Sequence, residues 1–514
     1  MNPLKNKIFC GGNLEVVSSW PSNFISAIVT DPPYGIGFMG KDWDTFSLNS
    51  IDERMRQDNK RPAVGIMRTH RSNAAGSYDF SRNAQFQQWF TAWAKTMLRI
   101  TKPGGFLLCF GGTRTYHRLA CAIEDAGWEI RDCMMWLYGS GFPKSHNISK
   151  AIDKIAGATR KITKIRTNGN KGGGAKTYDD DNYVWDKPFT ETAPATSLAE
   201  VWDGYGTALK PAWEPIIVAM KPLDGTFAHN AEAHGVAGLN IDAARIGTEK
   251  RFSTPAKAKK DTFNCSPGSG ITYQGQEVQG RWPANLILDE EAAAMLDEQT
   301  GITTSKRADK GKGIDGDTFR NPSGDLHGIR GHNDSGGASR FFYCAKTSRK
   351  ERNVGLDDQS GEKVNDGRDT PIDNPYQRGE TIRKNIHPTV KPLALMKYLC
   401  TLLKMPGSDQ IILDPFLGSG TTGIACKELS INFIGIEKER EYCEIAVKRI
   451  AAVSGQEITL ETSLPVTKNM ETVRTTKDSA GGKCHRPNES LPHVSESRQR
   501  IIDAASTALR KNQK

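Results

Sequence analysis

The chain has 514 residues, more than one ordinary core accommodates, with 37% hydrophobic residues and a formal charge of +10. No apolar run approaches the roughly 18–20 residues that span a bilayer, the first residues lack the apolar core of a secretory signal, and the ten cysteines form no Cys-x-x-Cys pair. These features point to a cytoplasmic protein with reduced thiols and no disulfide or zinc frame; the basic balance favours a polyanionic partner without establishing one.

Strand and helix signals alternate from residue 7. Ile25–Thr30 is a short apolar strand that stops at Asp31-Pro-Pro. Phe86, Trp89, Phe90, Trp93, Met97 and Leu98 recur at helical spacing up to Ile100, Lys102-Pro-Gly-Gly ends that run, and Phe106–Phe110 follows as a buried strand. This grammar predicts a parallel sheet with helices on its faces. A segment at 147–176 carries eight Lys or Arg against one Asp and includes Gly172-Gly-Gly, which predicts a basic inserted loop. From 224 to 383 Gly, Asn, Asp and Ser are frequent, with apolar islands only at Trp282–Leu288 and Phe341–Cys344, so a separate loop-rich insertion is expected. The strand and helix grammar then returns: a helix from about Leu393 to Met405, a strand at Gln410–Leu413, a helix at Thr421–Leu429, a strand at Asn432–Ile436 and a helix at Glu439–Ala452. Residues 453–514 contain no Phe, Trp or Tyr and are expected to form a disordered tail, with a helix near Ser497–Arg510.

Two constellations carry chemistry. Asp31-Pro32-Pro33-Tyr34 follows a buried strand directly. An exocyclic base amine is a poor nucleophile because its lone pair is conjugated into the ring. A carboxylate from Asp31 and the carbonyl of Pro32 would accept its two N–H groups and free that lone pair for in-line attack on a methyl donor. The prolines stiffen the turn, and Tyr34 offers a face for a base taken out of the duplex. The second constellation, Asp414-Pro-Phe-Leu-Gly-Ser-Gly-Thr-Thr422, lies between a strand and a helix. Gly418 and Gly420 permit a tight turn near a ligand, and Glu437 ends the next strand, where an acidic residue typically binds ribose hydroxyls. Read on to Gly423, the stretch also satisfies the dinucleotide fingerprint, so an NAD-dependent oxidoreductase enters as a distant alternative.

Together, Asp-Pro-Pro-Tyr, Phe-x-Gly-x-Gly and His387-Pro-Thr-x-Lys-Pro392 resemble the amino-group DNA methyltransferases that make N6-methyladenine or N4-methylcytosine. With the target-base motif first and the glycines last, the order is similar to the beta-type permutation. Trp136–Lys144, Lys210–Pro215 and Phe341–Lys346 are similar to phage and prophage members. The resemblance implies a circularly permuted, Rossmann-like α/β fold with S-adenosylmethionine as cofactor; the ten histidines are dispersed and no metal is expected. It also implies a target-base site of Asp31, Pro32, Pro33 and Tyr34. Phe416, Gly418 and Gly420 would form the cofactor loop, with Asp414 near the methionine amino group, Glu437 on the ribose, and Thr389 and Lys391 at the methionine end. Gly12-Asn13 stands where many relatives have Gly-Asp.

The expected organisation is a catalytic part over 1–223, a target-recognition insertion over 224–383, a cofactor part over 384–452 and the tail. Double-stranded DNA is the expected partner, with Arg160, Lys161, Lys164 and Arg166 in the basic loop, and Arg281, Trp282 and Lys306–Lys312 in the insertion, as candidate contacts. The family leaves room for a homodimer and a companion restriction endonuclease. Asp before Pro-Pro-Tyr favours adenine N6 over cytosine N4, and the absence of any Pro-Cys pair argues against carbon-5 cytosine methylation. An inactive DNA-binding module is a further distant alternative.

Overall fold

Along Phe106–Phe110 the side chains alternate: Phe106, Leu108 and Phe110 enter one core, while Leu107 and Cys109 enter another. A strand buried on both faces requires helices on both faces. The computed structural model supplies them. It describes residues 3–35, 80–141, 145–166, 189–253, 276–305, 334–345, 349–364 and 381–462. All belong to one unit, Met1–Ser463; the second unit, Leu464–Lys514, lies outside the described residues, and with it the helix expected near Ser497–Arg510.

The main sheet has ten strands: β1 (Lys7–Cys10), β2 (Ile25–Thr30), β3 (Thr101–Phe110), β4 (Glu129–Leu137), β5 (Trp213–Met220), β6 (Leu286–Asp289), β7 (Tyr343–Ala345), β8 (Ile411–Asp414), β9 (Asn432–Glu437) and β10 (Thr459–Thr462). Their order is β7-β6-β4-β5-β3-β2-β8-β9-β1-β10. Strand β5 runs antiparallel to β3 and β4, and the other pairings are parallel. Strands β8 and β9, from the far end of the chain, slot between β2 and β1. That insertion gives the expected permuted, Rossmann-like α/β fold.

Helix Phe80–Ile100 covers one face by burying Phe86, Phe90, Trp93, Met97 and Ile100, a stripe at helical spacing. Helices Leu393–Leu402, Thr421–Glu428 and Arg440–Ser454 cover the other. No helix among the described residues is long and apolar enough to cross a membrane.

Two expectations change. The 224–383 insertion is not separate from the sheet, because its apolar islands become β6 and β7. Strands of three or four residues cannot build a core alone, whereas pairing β6 with β4 and β7 with β6 satisfies their backbone and buries Ile287 and Leu288. Tyr343 of β7 also stacks on Tyr398, with ring centroids 3.9 Å apart. At the other end, the boundary expected at 453 falls inside helix Arg440–Ser454, and the sheet continues to Thr462 by pairing β10 with β1. Ile458, only 4% exposed, anchors that return. Ile458→Ala should therefore cost about 2–4 kcal/mol in denaturant unfolding; an unchanged midpoint would show that this edge strand contributes nothing.

Candidate active site

Parallel strands end together. Thr30 is opposite Cys109, Asp414 opposite Gly435, and Glu437 opposite Cys10, so the carboxyl ends of β2, β3, β8, β9 and β1 form one edge. Antiparallel β5 begins there, with Ile216 opposite Phe110 and Glu214 opposite Trp136. In open α/β sheets this edge is where ligands bind.

Asp414 joins the two motifs. Its carboxylate accepts the Thr30 hydroxyl at 2.8 Å, the Thr422 hydroxyl at 2.5 Å and the Phe416 N–H at 3.1 Å. Burial raises its pKa to about 6 against those hydrogen bonds. Asp414 is expected near a ligand amino group, and in the structure both its oxygens accept hydrogen bonds from the chain itself. Asn13 reinforces the loop by donating to the Pro415 carbonyl at 3.2 Å, a bond that an ionised Asp could not make.

In the glycine loop Gly418 and Gly420 have φ of +54° and +88°, a left-handed backbone suited to glycine. A methyl group on Gly418 would meet His387 Nε2 at 2.7 Å, so the loop accepts the imidazole only because no side chain intervenes. Burial pulls the His387 pKa down to about 3, and the ring stays neutral. Glu437 accepts the N–H groups of Gly418 at 2.8 Å and Glu439 at 2.9 Å, and burial pushes its pKa up to about 7. The half-buried Phe416 ring lies 5.7 Å from Trp93 and 6.3 Å from Trp89.

At the target motif the alternation of Ala27 and Val29 continues to Asp31, and that of Ile216 extends back to Glu214. Lys391 Nζ lies 2.5 Å from Asp31 Oδ2 and 3.3 Å from Glu214 Oε2. The Tyr34 hydroxyl is 2.9 Å from Asp31 Oδ1 and 3.0 Å from Glu214 Oε2, and its single proton serves one of them at a time. Burial, then the two carboxylates, push this phenol well above its usual pKa. Burial would lower the Lys391 pKa, but Asp31 and Glu214 outweigh it and raise the value. Pro32 is buried, and Thr115 donates to the Tyr34 carbonyl at 2.7 Å, which holds the turn.

The His387-Pro-Thr-Val-Lys391 segment therefore bridges the two halves: His387 packs on the glycine loop and Lys391 on Asp31. Lys391, expected at the cofactor end, lies on Asp31, and Thr389 is exposed. Two further residues had no role in the sequence reading. Glu214 lay within a quoted motif, and the signal it offered was a carboxylate one residue before the buried run Pro215–Met220. Arg449, 1% exposed, donates to the Ser419 carbonyl at 2.5 Å and braces the glycine loop. An Arg beside Ala446 and Ile450 on the buried face of a helix was its only signal.

The candidate DNA contacts divide. Arg160 turns inward, 2.6 Å from buried Asp153 and bonded to Ser149 and Thr192. Arg281, 7% exposed, pairs with Asp334 and lies over the Phe341 ring. Both anchor their own segments. Lys161 and Lys164 are exposed, as is Trp282 at 66%, with the Arg245 guanidinium 5.5 Å from its ring centroid. Arg166 ends the strand Ile162–Arg166, while its side chain and Lys306–Lys312 lie outside the described residues. Arg160→Gln should lower amide-exchange protection across Ile148–Ile155 and the strand Phe189–Thr192 by roughly tenfold or more. Lys164→Gln should leave it unchanged; equal protection in both variants would remove the anchoring role.

A family model described as DNA methylase matches residues 25–448. The type II methyltransferase M.HindIII of Haemophilus influenzae is 22% identical over 448 residues, covering 86% of this chain and 94% of its own. M2.DpnII of Streptococcus pneumoniae, also a type II methyltransferase, is 48% identical over 66 residues, 13% of this chain and 24% of that protein. Among solved structures, the cytosine-N4-specific PvuII DNA methyltransferase aligns at a TM-score of 0.37 and 12% identity, over 88% of this chain and 94% of that one. The family match runs from the strand before Asp31 to the helix after Glu437 and so includes both halves of the site. The chain belongs to the amino-group DNA methylases, the family that methylates N6 of adenine or N4 of cytosine.

Proposed function

We propose that this protein methylates N6 of adenine in double-stranded DNA, at a specific sequence, with the target base turned out of the helix. The observation that carries this reading is Asp31 at the carboxyl edge of the sheet, beside Tyr34 and tied through Thr30 to the glycine loop. Asp31 and the Pro32 carbonyl accept the two amine N–H groups, and the Tyr34 ring supplies a stacking face. Fixed acceptors and proximity account for the acceleration without a covalent enzyme intermediate. Asp rather than Ser before Pro-Pro-Tyr supports adenine.

The residues present fit S-adenosylmethionine. Phe416 presents a partly exposed ring beside the glycine loop, and Glu437 keeps lone pairs for ribose hydroxyls. When bound, S-adenosylmethionine supplies an electrophilic methyl group on a positively charged sulfur. The target site holds one ammonium against two carboxylates, a net negative charge that favours a cation nearby.

For DNA, we assign Lys161 and Lys164 to phosphate contacts, and the hairpin formed by Ile246–Ser253 and Gln276–Arg281, with exposed Trp282 beyond it, to target recognition. Changing Lys161 and Lys164 to Gln should flatten the dependence of log affinity on log salt by about 0.9 per lost contact, without altering the methylated sequence. An unchanged slope would return both lysines to solvent.

Asp31→Ala should reduce methyl transfer at least about a hundredfold while S-adenosylhomocysteine still binds. Methylation-aware sequencing of DNA from expressing cells decides the base: N4-methylcytosine would overturn the adenine assignment, and near-normal activity in the variant would move the chemistry away from Asp31. The cofactor site makes a pH prediction. Glu437 accepts ribose hydroxyls best when ionised, and its pKa is about 7 without ligand. Its folded pKa lies above the ordinary 4.5, so ionising it costs stability as pH rises from about 5 to 7, and ligand hydroxyls offset that cost. Affinity for S-adenosylhomocysteine should thus fall about tenfold between pH 8 and pH 6. Glu437→Gln should bind weakly with a flat profile by titration calorimetry; a wild-type profile that is equally flat would remove Glu437 from the contact.

A further inference from the structure

Without a base in the site, both Asp31 oxygens are already engaged. Lys391 Nζ sits on Oδ2 at 2.5 Å, and the Tyr34 hydroxyl approaches Oδ1 at 2.9 Å. The amine of a target base needs an acceptor there, and a neutral amine competes poorly with an ammonium for a carboxylate. The ammonium is largely enclosed, 4.9 Å from the Phe110 ring centroid and 5.6 Å from that of Tyr34, so it cannot give up a charged partner for nothing. A second carboxylate lies within reach. Glu214 Oε2 is 3.3 Å from the same nitrogen and 3.0 Å from the same hydroxyl.

We propose that Lys391 is a place-holder on Asp31, and that Glu214 is the seat to which its ammonium shifts, with the Tyr34 hydroxyl, when the exocyclic amine of the target base arrives. This rests on the reading of Asp31 as the amine acceptor. Both residues act through Asp31 and are positioning residues. The shift is short, because Nζ already lies between the two carboxylates. It keeps the lysine paired throughout and frees Asp31 only when a base is present. Glu214 suits the role by its support: it opens a strand paired on both sides, and Lys210, four residues earlier, is fastened to the Gly139 carbonyl at 2.6 Å.

A rigid ion pair that merely orients Asp31 predicts something different, and a double-mutant cycle separates the two. The target sequence comes first, from methylation sequencing with the wild-type protein. Duplexes with a fluorescent base at the target position (2-aminopurine for adenine, pyrrolocytosine for cytosine) then report base extrusion in the presence of S-adenosylhomocysteine, alongside kcat and KM. Glu214→Gln removes the second seat, leaves Lys391 on Asp31, and should lower both the extrusion signal and kcat/KM about thirtyfold or more. Adding Lys391→Met to Glu214→Gln removes the place-holder as well and should recover at least about tenfold of that loss. Glu214→Asp, with a shorter seat, should be intermediate, and it carries the test if Glu214→Gln fails to fold, as judged by melting and S-adenosylhomocysteine binding. Additive or worse losses in the double variant would overturn the place-holder and leave Lys391 as a fixed brace. If the wild type methylates no amino group, the reading of Asp31 itself fails, a separate and recognisable result.

Discussion

The Asp414 carboxylate is the constraint on which the site depends. It ties Thr30 and Thr422, which are 384 and 8 positions away in the chain, to one buried point. Thr30 immediately precedes Asp31, and Phe416 N–H closes on the same carboxylate, so Asp31 and the glycine loop share one anchor. Methyl transfer requires near-attack placement to within fractions of an ångström. A buried carboxylate with its oxygens satisfied by the chain is suited to that because it has little freedom to rearrange. Its raised pKa, about 6, marks the cost of burying the charge there.

The two halves of the site use different electrostatics. Around the glycines most positioning is done by backbone: N–H groups of Gly418 and Glu439 meet Glu437, and the Ser419 carbonyl meets Arg449. The missing side chains of Gly418 and Gly420 let His387 and Ala446 close on the loop. Around Asp31 the opposite holds. The Lys391 ammonium and the Tyr34 phenol lie within 3.3 Å of each other and of both carboxylates, and small displacements change which pairs exist. The first arrangement suits a cradle, and the second suits a device that must exchange partners. The His387–Lys391 segment joins them and sets how far apart they lie.

A basic residue in the sequence is not always a charge on the surface. Arg160 and Arg281 lie in basic or groove-like sequence, yet each is held by a buried acid, Asp153 and Asp334. Arginine is preferred for such pairs because its planar fork satisfies several acceptors at once. The lysines beside Arg160 stay in solvent, where a phosphate contact carries no burial cost.

Much of the fold was legible in local pattern. Apolar alternation over Phe106–Phe110, helical spacing over Phe86–Ile100 and the turn chemistry after each strand located the main elements within a few residues. Motif order predicted the permuted sheet, and Asp31, Tyr34, Gly418 and Glu437 were legible because each stands at a strand end or tight turn, where residue type reflects local geometry. Only tertiary structure decided the rest. The islands at Leu286–Asp289 and Tyr343–Ala345 became sheet strands, and Thr459–Thr462 became an edge, because β4, β6 and β1 in turn offered unpaired backbone. Lys391 met Asp31 across 360 positions of chain, and Tyr34 met Glu214 across 180. No local pattern encodes such meetings. They follow from which strands lie side by side, and a charged side chain acquires its role from the partner that the sheet brings to it.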